Sequence, residues 1–349
     1  MPFPRTRRAL EAALERGAFP GAVIEVGRRG GPAWTRAWGR LTTADGSAEC
    51  TPGSVFDLAS LTKVMATTAL IVRHVAAGRV TLETPLSQLL AGWSADDRGA
   101  IRLRHLLDHS SGLRGHDCFW EHARGRREYE AAIRAQPLER PPGTAAVYSD
   151  LGFMLLGFVV EDLGARPLDE QFDALSRELG LGEVTYRPPA SWRDRIAPTE
   201  FDSWRGRLLV GEVHDENAAA LDGVAGHAGL FGTAASVGRF ARVVLDTFRT
   251  ETPLGTPVLM RTVARRTNVP GSSRALGWDT MRPTSSCGTK LSPAAIGHTG
   301  FTGTSLWIDP ARDLYVALLA NRVHPTRQNE ALVTLRPLLH DAIVEDLED

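Results

Sequence analysis

The sequence predicts a mixed α/β (α+β) fold, with an antiparallel sheet flanked by helices and a mostly helical domain inserted into it. Three observations predict it. An amphipathic helix followed by a strand pair opens the chain, helical periodicity dominates from residue 82 to about 245, and strand character returns between residues 295 and 320. Sheet segments at both ends with a helical middle imply a discontinuous α/β domain of residues 1–58 and 265–349 and a mostly helical domain of residues 59–264. The cleft between two such lobes is where an active site is expected.

Each element follows from its own signals. Residues 6–16 place Leu10, Ala13 and Leu14 at helical spacing, with Gly17 as the stop. Residues 22–26 form a short apolar strand, and the turn from Gly27 to Gly31 leads into a second strand over 33–39. Turn-rich sequence over 42–54 delivers the chain to a helix that starts near Ser60 and runs to Ala77, stopped by Gly78. Residues 101–109 read as a short helix. Residues 114–135, rich in Arg, Glu and His around Cys118, Phe119 and Trp120, form either a solvated loop and helix or a lid carrying aromatics over a pocket. Pro141-Pro142-Gly143-Thr144 is turn punctuation ahead of an apolar helix over 151–162. Prolines and tryptophans mark irregular structure over 187–204, and a helix spans 236–248. Residues 309–313 then join two strands, 305–308 and 314–320, and a last helix covers about 329–343.

Composition excludes several functions. The chain's 349 residues are 43% apolar, ample for a large core, and 40 basic side chains nearly cancel 41 acidic ones. That balance gives no electrostatic reason to expect nucleic acid or an anionic membrane as a partner. The apolar run over 151–160 is too short to span a bilayer. Arg5, Arg7 and Arg8 resemble the basic start of a signal peptide, but Glu11 and Glu15 interrupt the apolar segment such a peptide needs, so a cytoplasmic location is expected. Cys50, Cys118 and Cys287 form neither a disulfide framework nor a metal-ligand spacing. The polar stretch His214-Asp215-Glu216-Asn217 and the glycine-flanked His227 match no metal motif either, and no metal or other cofactor is expected. Glycines around His227 point to close backbone approach, to substrate or to a neighbouring strand.

One stretch carries candidate chemistry. Ser60-Leu61-Thr62-Lys63 sets a hydroxyl and an amine three positions apart at the start of a helix, on a shared face. A serine needs a base within hydrogen-bond reach, and lysine serves only with a lowered pKa. Burial and the helix macrodipole are expected to lower it. Tyr148-Ser149-Asp150, after the proline turn, and His298-Thr299-Gly300, on a strand near the C-terminus, follow in order. Alone, Tyr148 reads as an ordinary packing residue.

Taken together, the three signals resemble the serine β-lactamase and penicillin-binding-protein superfamily. Tyrosine at the head of the second motif makes the chain similar to class C β-lactamases, D-alanyl-D-alanine carboxypeptidases and related esterases. Leu106-Leu107-Asp108-His109-Ser110-Ser111-Gly112-Leu113 resembles another characteristic segment of that group. Residues 213–217 and 225–231 look most like a muropeptide-amidase and penicillin-binding-protein-4B-like branch. The resemblance implies the β-lactamase/transpeptidase-like fold and an acyl-enzyme formed at Ser60. Lys63 and Tyr148 would share the proton work, and the backbone N–H groups of Ser60 and Phe301 would form the oxyanion hole. Asp150, His298, Thr299, Gly300 and His227 are the expected substrate-binding residues.

Two departures from the family pattern shape the expected substrate. His298 stands where β-lactamases place a lysine that holds the substrate carboxylate, and near its ordinary pKa it offers only part of a charge at pH 7. Asp150 replaces the asparagine of Y-x-N, exchanging an amide that donates for an acceptor. Both favour a neutral small-molecule ester, or an amide held by other anchors, a muropeptide fragment among them, over efficient β-lactam binding. The competing expectations are a true β-lactamase or D-alanyl-D-alanine carboxypeptidase, and a non-catalytic penicillin-binding sensor.

Overall fold

The computed structural model describes residues 2–94 and 96–349. Helix α1 (Pro4–Glu15) leads into strands β1 (Gly21–Arg28) and β2 (Gly31–Gly39), and a two-residue strand β3 (Phe56–Asp57) precedes Ser60. A π-helical segment, Lys63–Thr68, continues as helix α2 (Ala69–Ala76), followed by α3 (Leu103–Leu107), α4 (Gly125–Ala135), α5 (Asp150–Gly164) and α6 (Leu168–Leu179). Short strands β4 (Val184–Tyr186), β5 (Phe201–Asp202) and β6 (Arg207–Leu208) lead to α7 (Glu216–Ala220) and β7 (Leu230–Gly232). Helices α8 (Ala234–Thr247) and α9 (Pro257–Ala264) come next. Strands β8 (Asp279–Thr280), β9 (Ile296–Thr299), β10 (Ser305–Asp309) and β11 (Leu314–Ala320) and helix α10 (Ala331–Glu348) complete the chain.

The main sheet has the order β2-β1-β11-β10-β9-β8, and its pairings are antiparallel. Strand β1 pairs with β11 from Ala22 opposite Ala320 to Gly27 opposite Tyr315, which brings the two ends of the chain into one sheet. All seven residues of β11 are buried, because helices cover both of its faces. On one face α1 and α10 pack together. Asp346 of α10 accepts from the Arg5 and Thr6 N–H groups at 3.1 and 2.9 Å and from the Thr6 hydroxyl at 2.7 Å. It supplies the cap that the N-terminus of α1 lacks in its own sequence.

Helix α8 covers the other face. Arg242 reaches Glu25 of β1 at 3.2 Å and the Tyr315 hydroxyl of β11 at 2.6 Å, and that hydroxyl donates to Glu25 at 2.8 Å. Gly238 makes this approach possible, since a Cβ there would fall 1.9 Å from a Glu25 carboxylate oxygen. Although it lies within residues 59–264, α8 therefore packs directly on the sheet.

The middle of the chain is not purely helical. Strands β3, β7 and β4 form a small sheet, and β5 pairs with β6 in a hairpin. These segments are two or three residues long and carry no readable alternation. Residues 114–135 hold α4, with Phe119 and Tyr129 buried in the core, while Trp120 packs against Trp204 at 5.1 Å. Neither Phe119 nor Trp120 lines the cavity beside Ser60, so the aromatic-lid expectation fails and core packing explains them. No helix among the described residues is long and apolar enough to cross a membrane.

Candidate active site

Ser60 sits at a strained corner between β3 and the π-helical segment. Asp57 shapes that corner, its carboxylate accepting from the Ala59 N–H at 2.8 Å and from the His214 N–H at 2.7 Å. Ala59, immediately before Ser60, has φ +46°, a left-handed conformation that non-glycine residues rarely adopt. The corner continues as a tight turn, with the Lys63 N–H donating to the Ser60 carbonyl at 3.1 Å.

The Lys63 ammonium is fully buried and surrounded by three acceptors. It lies 2.8 Å from Ser60 Oγ, 3.0 Å from the His227 carbonyl and 2.8 Å from Asp150 Oδ1. Two of its N–H donors make hydrogen bonds, to Ser60 Oγ and the His227 carbonyl, and Asp150 Oδ1 is held as an ion pair without a hydrogen bond. Burial, the largest influence, pushes its pKa down, but the Asp150 carboxylate and Tyr148 outweigh burial and raise it above the ordinary lysine value. This overturns the expectation of a lowered pKa. Lys63 rests as a cation, and the side chain responsible is Asp150, where the family pattern has a neutral asparagine.

Asp150 owes its place to the cap of α5. Ser149 is the N-cap, its hydroxyl accepting from the Gly152 N–H at 3.2 Å and donating to the Arg114 carbonyl at 2.7 Å. Asp150 then occupies the first turn, where the helix dipole favours an anion. Burial alone would raise its pKa, yet Lys63 and His116 prevail and hold it well below the usual carboxylate range. His116, 3.7 Å away, has its own pKa raised chiefly by the neighbouring Asp150 carboxylate.

Tyr148 lies between two histidine rings, with centroids 4.6 Å from His109 and 5.9 Å from His298. Lys63 Nζ and the Arg274 guanidinium lie 4.9 and 5.1 Å from the Tyr148 ring centre. Burial raises the phenol's pKa, opposed by Lys63, so the hydroxyl is neutral at pH 7.

The end of β9 is fastened to the Ser60 corner. Thr302 Oγ1 donates to the Asp57 carbonyl at 2.7 Å and Thr304 Oγ1 to the Leu58 carbonyl at 3.0 Å. Gly300 permits this contact, because a Cβ would lie 2.0 Å from Thr304 Oγ1 and 2.7 Å from the Leu58 carbonyl oxygen. The Ser60 and Phe301 N–H groups have no hydrogen-bond acceptor among the described residues.

His298 lines the cavity as a neutral ring. Burial first, then Lys63 and Arg274, lower its pKa to about 3. Its Nδ1 is 2.9 Å from the Thr299 carbonyl and must donate there, which leaves a lone pair on Nε2, an atom without a partner. The expected partial charge at pH 7 is therefore absent. His227 also differs from expectation. Its buried ring is held by Asp215 at 2.8 Å and lies off the cavity wall, and its backbone carbonyl contacts Lys63.

Ser60, Tyr148, Asp150, His298, Thr299, Gly300 and Phe301 line one cavity of about 570 Å³. The same wall carries His214, Asp215 and Glu216 of the 213–217 segment, and His116, Arg274, Arg322 and Arg336, which no motif marks. Asn217, by contrast, is spent on structure, bonding Trp120, Tyr129 and the Asp117 carbonyl. No group of three or more potential metal ligands exists among the described residues.

A family model described as Beta-lactamase matches residues 6–339. The chain belongs to that family. It is accordingly a serine hydrolase of the beta-lactamase-like superfamily. It is 31% identical to a putative D-alanyl-D-alanine carboxypeptidase of Escherichia coli (strain K12), over 83% of this chain and 76% of that protein. It is 32% identical to an N-acetylmuramyl-L-alanine amidase of Bacillus subtilis (strain 168), over 91% of this chain and 81% of the relative. Among solved structures, EstCE1, a hydrolase with promiscuous acyltransferase activity, superimposes with a TM-score of 0.79 at 18% identity, covering 97% of each chain. A class C beta lactamase from Rhodobacter sphaeroides gives a TM-score of 0.74 at 18% identity, over 97% of this chain and 99% of its own. At those identities the superpositions establish the shared fold.

Proposed function

We propose that the chain hydrolyses an ester or amide through an acyl-enzyme on Ser60, with a peptidoglycan-derived muropeptide as the natural substrate class. The observation that carries the proposal is the Asp150–Lys63–Ser60 chain, two contacts of 2.8 Å opening on one cavity. Likeness to the Bacillus subtilis amidase supports the substrate class.

The protonation states suggest how the proton moves. Lys63 is a cation and Tyr148 a neutral phenol, so neither is a free base in the resting site. Tyr148 acts as a relay. Its oxygen takes the Ser60 proton as Oγ bonds to the substrate carbonyl carbon, while its own proton passes to the leaving nitrogen or oxygen. Lys63 stays charged and stabilises negative charge building between Oγ and the phenol oxygen. The free Ser60 and Phe301 N–H groups receive the carbonyl oxygen as it becomes an oxyanion; losing one such donor typically costs about 3–4 kcal/mol. Water then repeats the sequence to release the acid. Nε2 of His298 accepts a hydrogen bond from a substrate N–H or O–H. The two-lobed division belongs to the same proposal, since the Ser60 and Tyr148 motifs and the His298 strand come from its two parts.

A second reading, D-alanyl-D-alanine carboxypeptidase or β-lactamase, is favoured by the likeness to the Escherichia coli protein. Intact-protein mass spectrometry after exposure to muropeptides, D-alanyl-D-alanine peptides, nitrocefin and short p-nitrophenyl esters separates the two. Accumulation or turnover with muropeptide amides and esters supports the leading reading. Turnover confined to nitrocefin and D-alanyl-D-alanine peptides replaces it with the second.

A further inference from the structure

Two arginines in the cavity wall are buried without a counter-ion. Arg322, just after β11, and Arg336, on α10, are 5% and 4% exposed, and neither has a carboxylate within ion-pair distance among the described residues. Each makes only weak provision for its charge. Arg322 donates through Nη1 alone, to the Arg327 and Asn329 carbonyls at 3.1 and 2.6 Å, with its guanidinium carbon 4.7 Å from the Phe301 ring centre. Arg336 makes one long contact, 3.4 Å to the Thr304 carbonyl, and its Nε has no partner.

The nearby acids do not neutralise them. Glu200 is engaged by Arg327 and by His214 at 2.8 Å, and Glu216 by Arg327 at 2.7 Å. Glu330 acts on Arg322 only from a distance. The guanidiniums also repel one another, and burial together with Arg322 brings the Arg336 pKa down to about 10. A buried charge ordinarily has a paired partner, because an unpaired one costs several kcal/mol. Two such cations lining a cavity therefore mark a place where a ligand anion completes the pairing.

We propose that Arg322 and Arg336 form a carboxylate subsite of the Ser60 cavity, so that the preferred ester or amide carries a carboxylate on its acyl or leaving group. The proposal rests on the Ser60 reading for its kinetic test. Guanidiniums present paired N–H donors that match a carboxylate's two oxygens. A polyanion fits less well, since Asp150, Asp215 and Glu216 line the same cavity. Neither arginine belongs to the motifs, and His298, the motif residue in line for this task, is neutral.

The test compares matched esters. 4-Nitrophenyl hydrogen adipate against 4-nitrophenyl hexanoate places the carboxylate on the acyl side, and 3-carboxyphenyl hexanoate against phenyl hexanoate places it on the leaving group. One pair is expected to favour the acid by about 10- to 100-fold in kcat/KM, the range charge-assisted hydrogen bonds support. The ratio should fall towards one in Arg322→Met and Arg336→Met and survive in part in the lysine variants. Ratios near one in both pairs, or a preference that the methionine variants keep, would overturn the subsite. If no ester is turned over, the ester part of the Ser60 reading fails and the subsite is judged separately. Adipate and adipamide at matched ionic strength then decide on the wild-type protein: a higher Tm with adipate alone supports the subsite, and equal shifts refute it. This last comparison also serves if a variant does not fold.

Discussion

Asp150 sets the charge state of the site. Its folded-state pKa is depressed, so it contributes stability above the ordinary carboxylate range and loses it as pH falls through the folded value. Lys63 is raised, so its contribution is complete below the ordinary lysine pKa and lost as pH rises through the folded one. Both are present from about pH 4 to 10. Asp150→Asn should therefore cost about 3 kcal/mol across that window, as expected when one member of a buried pair is removed. The deficit should shrink in acid, as urea denaturation at a series of pH values will show. A deficit independent of pH would mean that packing, not charge, is what Asp150 supplies. Tyr148→Phe should lower kcat by about 10²–10⁴-fold, because the relay needs the hydroxyl. A rate within threefold of wild type would return Tyr148 to a packing role.

The motifs announced Ser60, Lys63, Tyr148 and the His298 strand because hydroxyl, amine and phenol are rare in such an order by chance. Charge states were hidden, since the lysine's depends on a carboxylate 87 positions away, a distance in sequence that no local pattern encodes. Arg322 and Arg336 were invisible for a similar reason. Arginine after a strand or on an amphipathic helix is common, and only burial without a counter-ion makes these two unusual. His227 misled because its glycine neighbours signal close approach correctly, but it is the backbone carbonyl, not the imidazole, that meets the site.

At the scale of elements, long periodic segments were legible and short ones were not. Helices α1 and α8 carry amphipathic repeats, and α5, β1, β10 and β11 are largely apolar runs long enough to read, mostly buried. Strands β3, β4 and β7 are too short to read, yet β3 places Asp57 and β7 follows the segment whose carbonyls hold Lys63 and Thr67, at 3.0 and 2.6 Å. The lead Lys63–Thr68 is π-helical, a winding often found at functional sites and unreadable from residue spacing. Elements also complete one another across the chain. Asp346→Ala should destabilise the fold by about 1–2 kcal/mol by uncapping α1, measured as a lower urea midpoint with the slope unchanged. An unchanged midpoint would show that water caps α1 equally well.

Over the whole molecule, the sheet joins the chain ends and α8 is clamped on it by Arg242, Glu25 and Tyr315. The Ser60 corner is pinned between this sheet and the helical part by Thr302, Thr304 and Asp57, so its geometry is a property of the assembled fold. Strain at Ala59 persists because contacts from distant segments hold it. The central claim is that this corner presents Ser60 as a nucleophile. Intact-mass and peptide-mapping spectrometry after treatment with a fluorophosphonate tests it most directly. A single adduct on the peptide bearing Ser60, absent in Ser60→Ala, is the predicted result. No adduct on the folded wild-type protein, or one that persists in Ser60→Ala, would contradict the account.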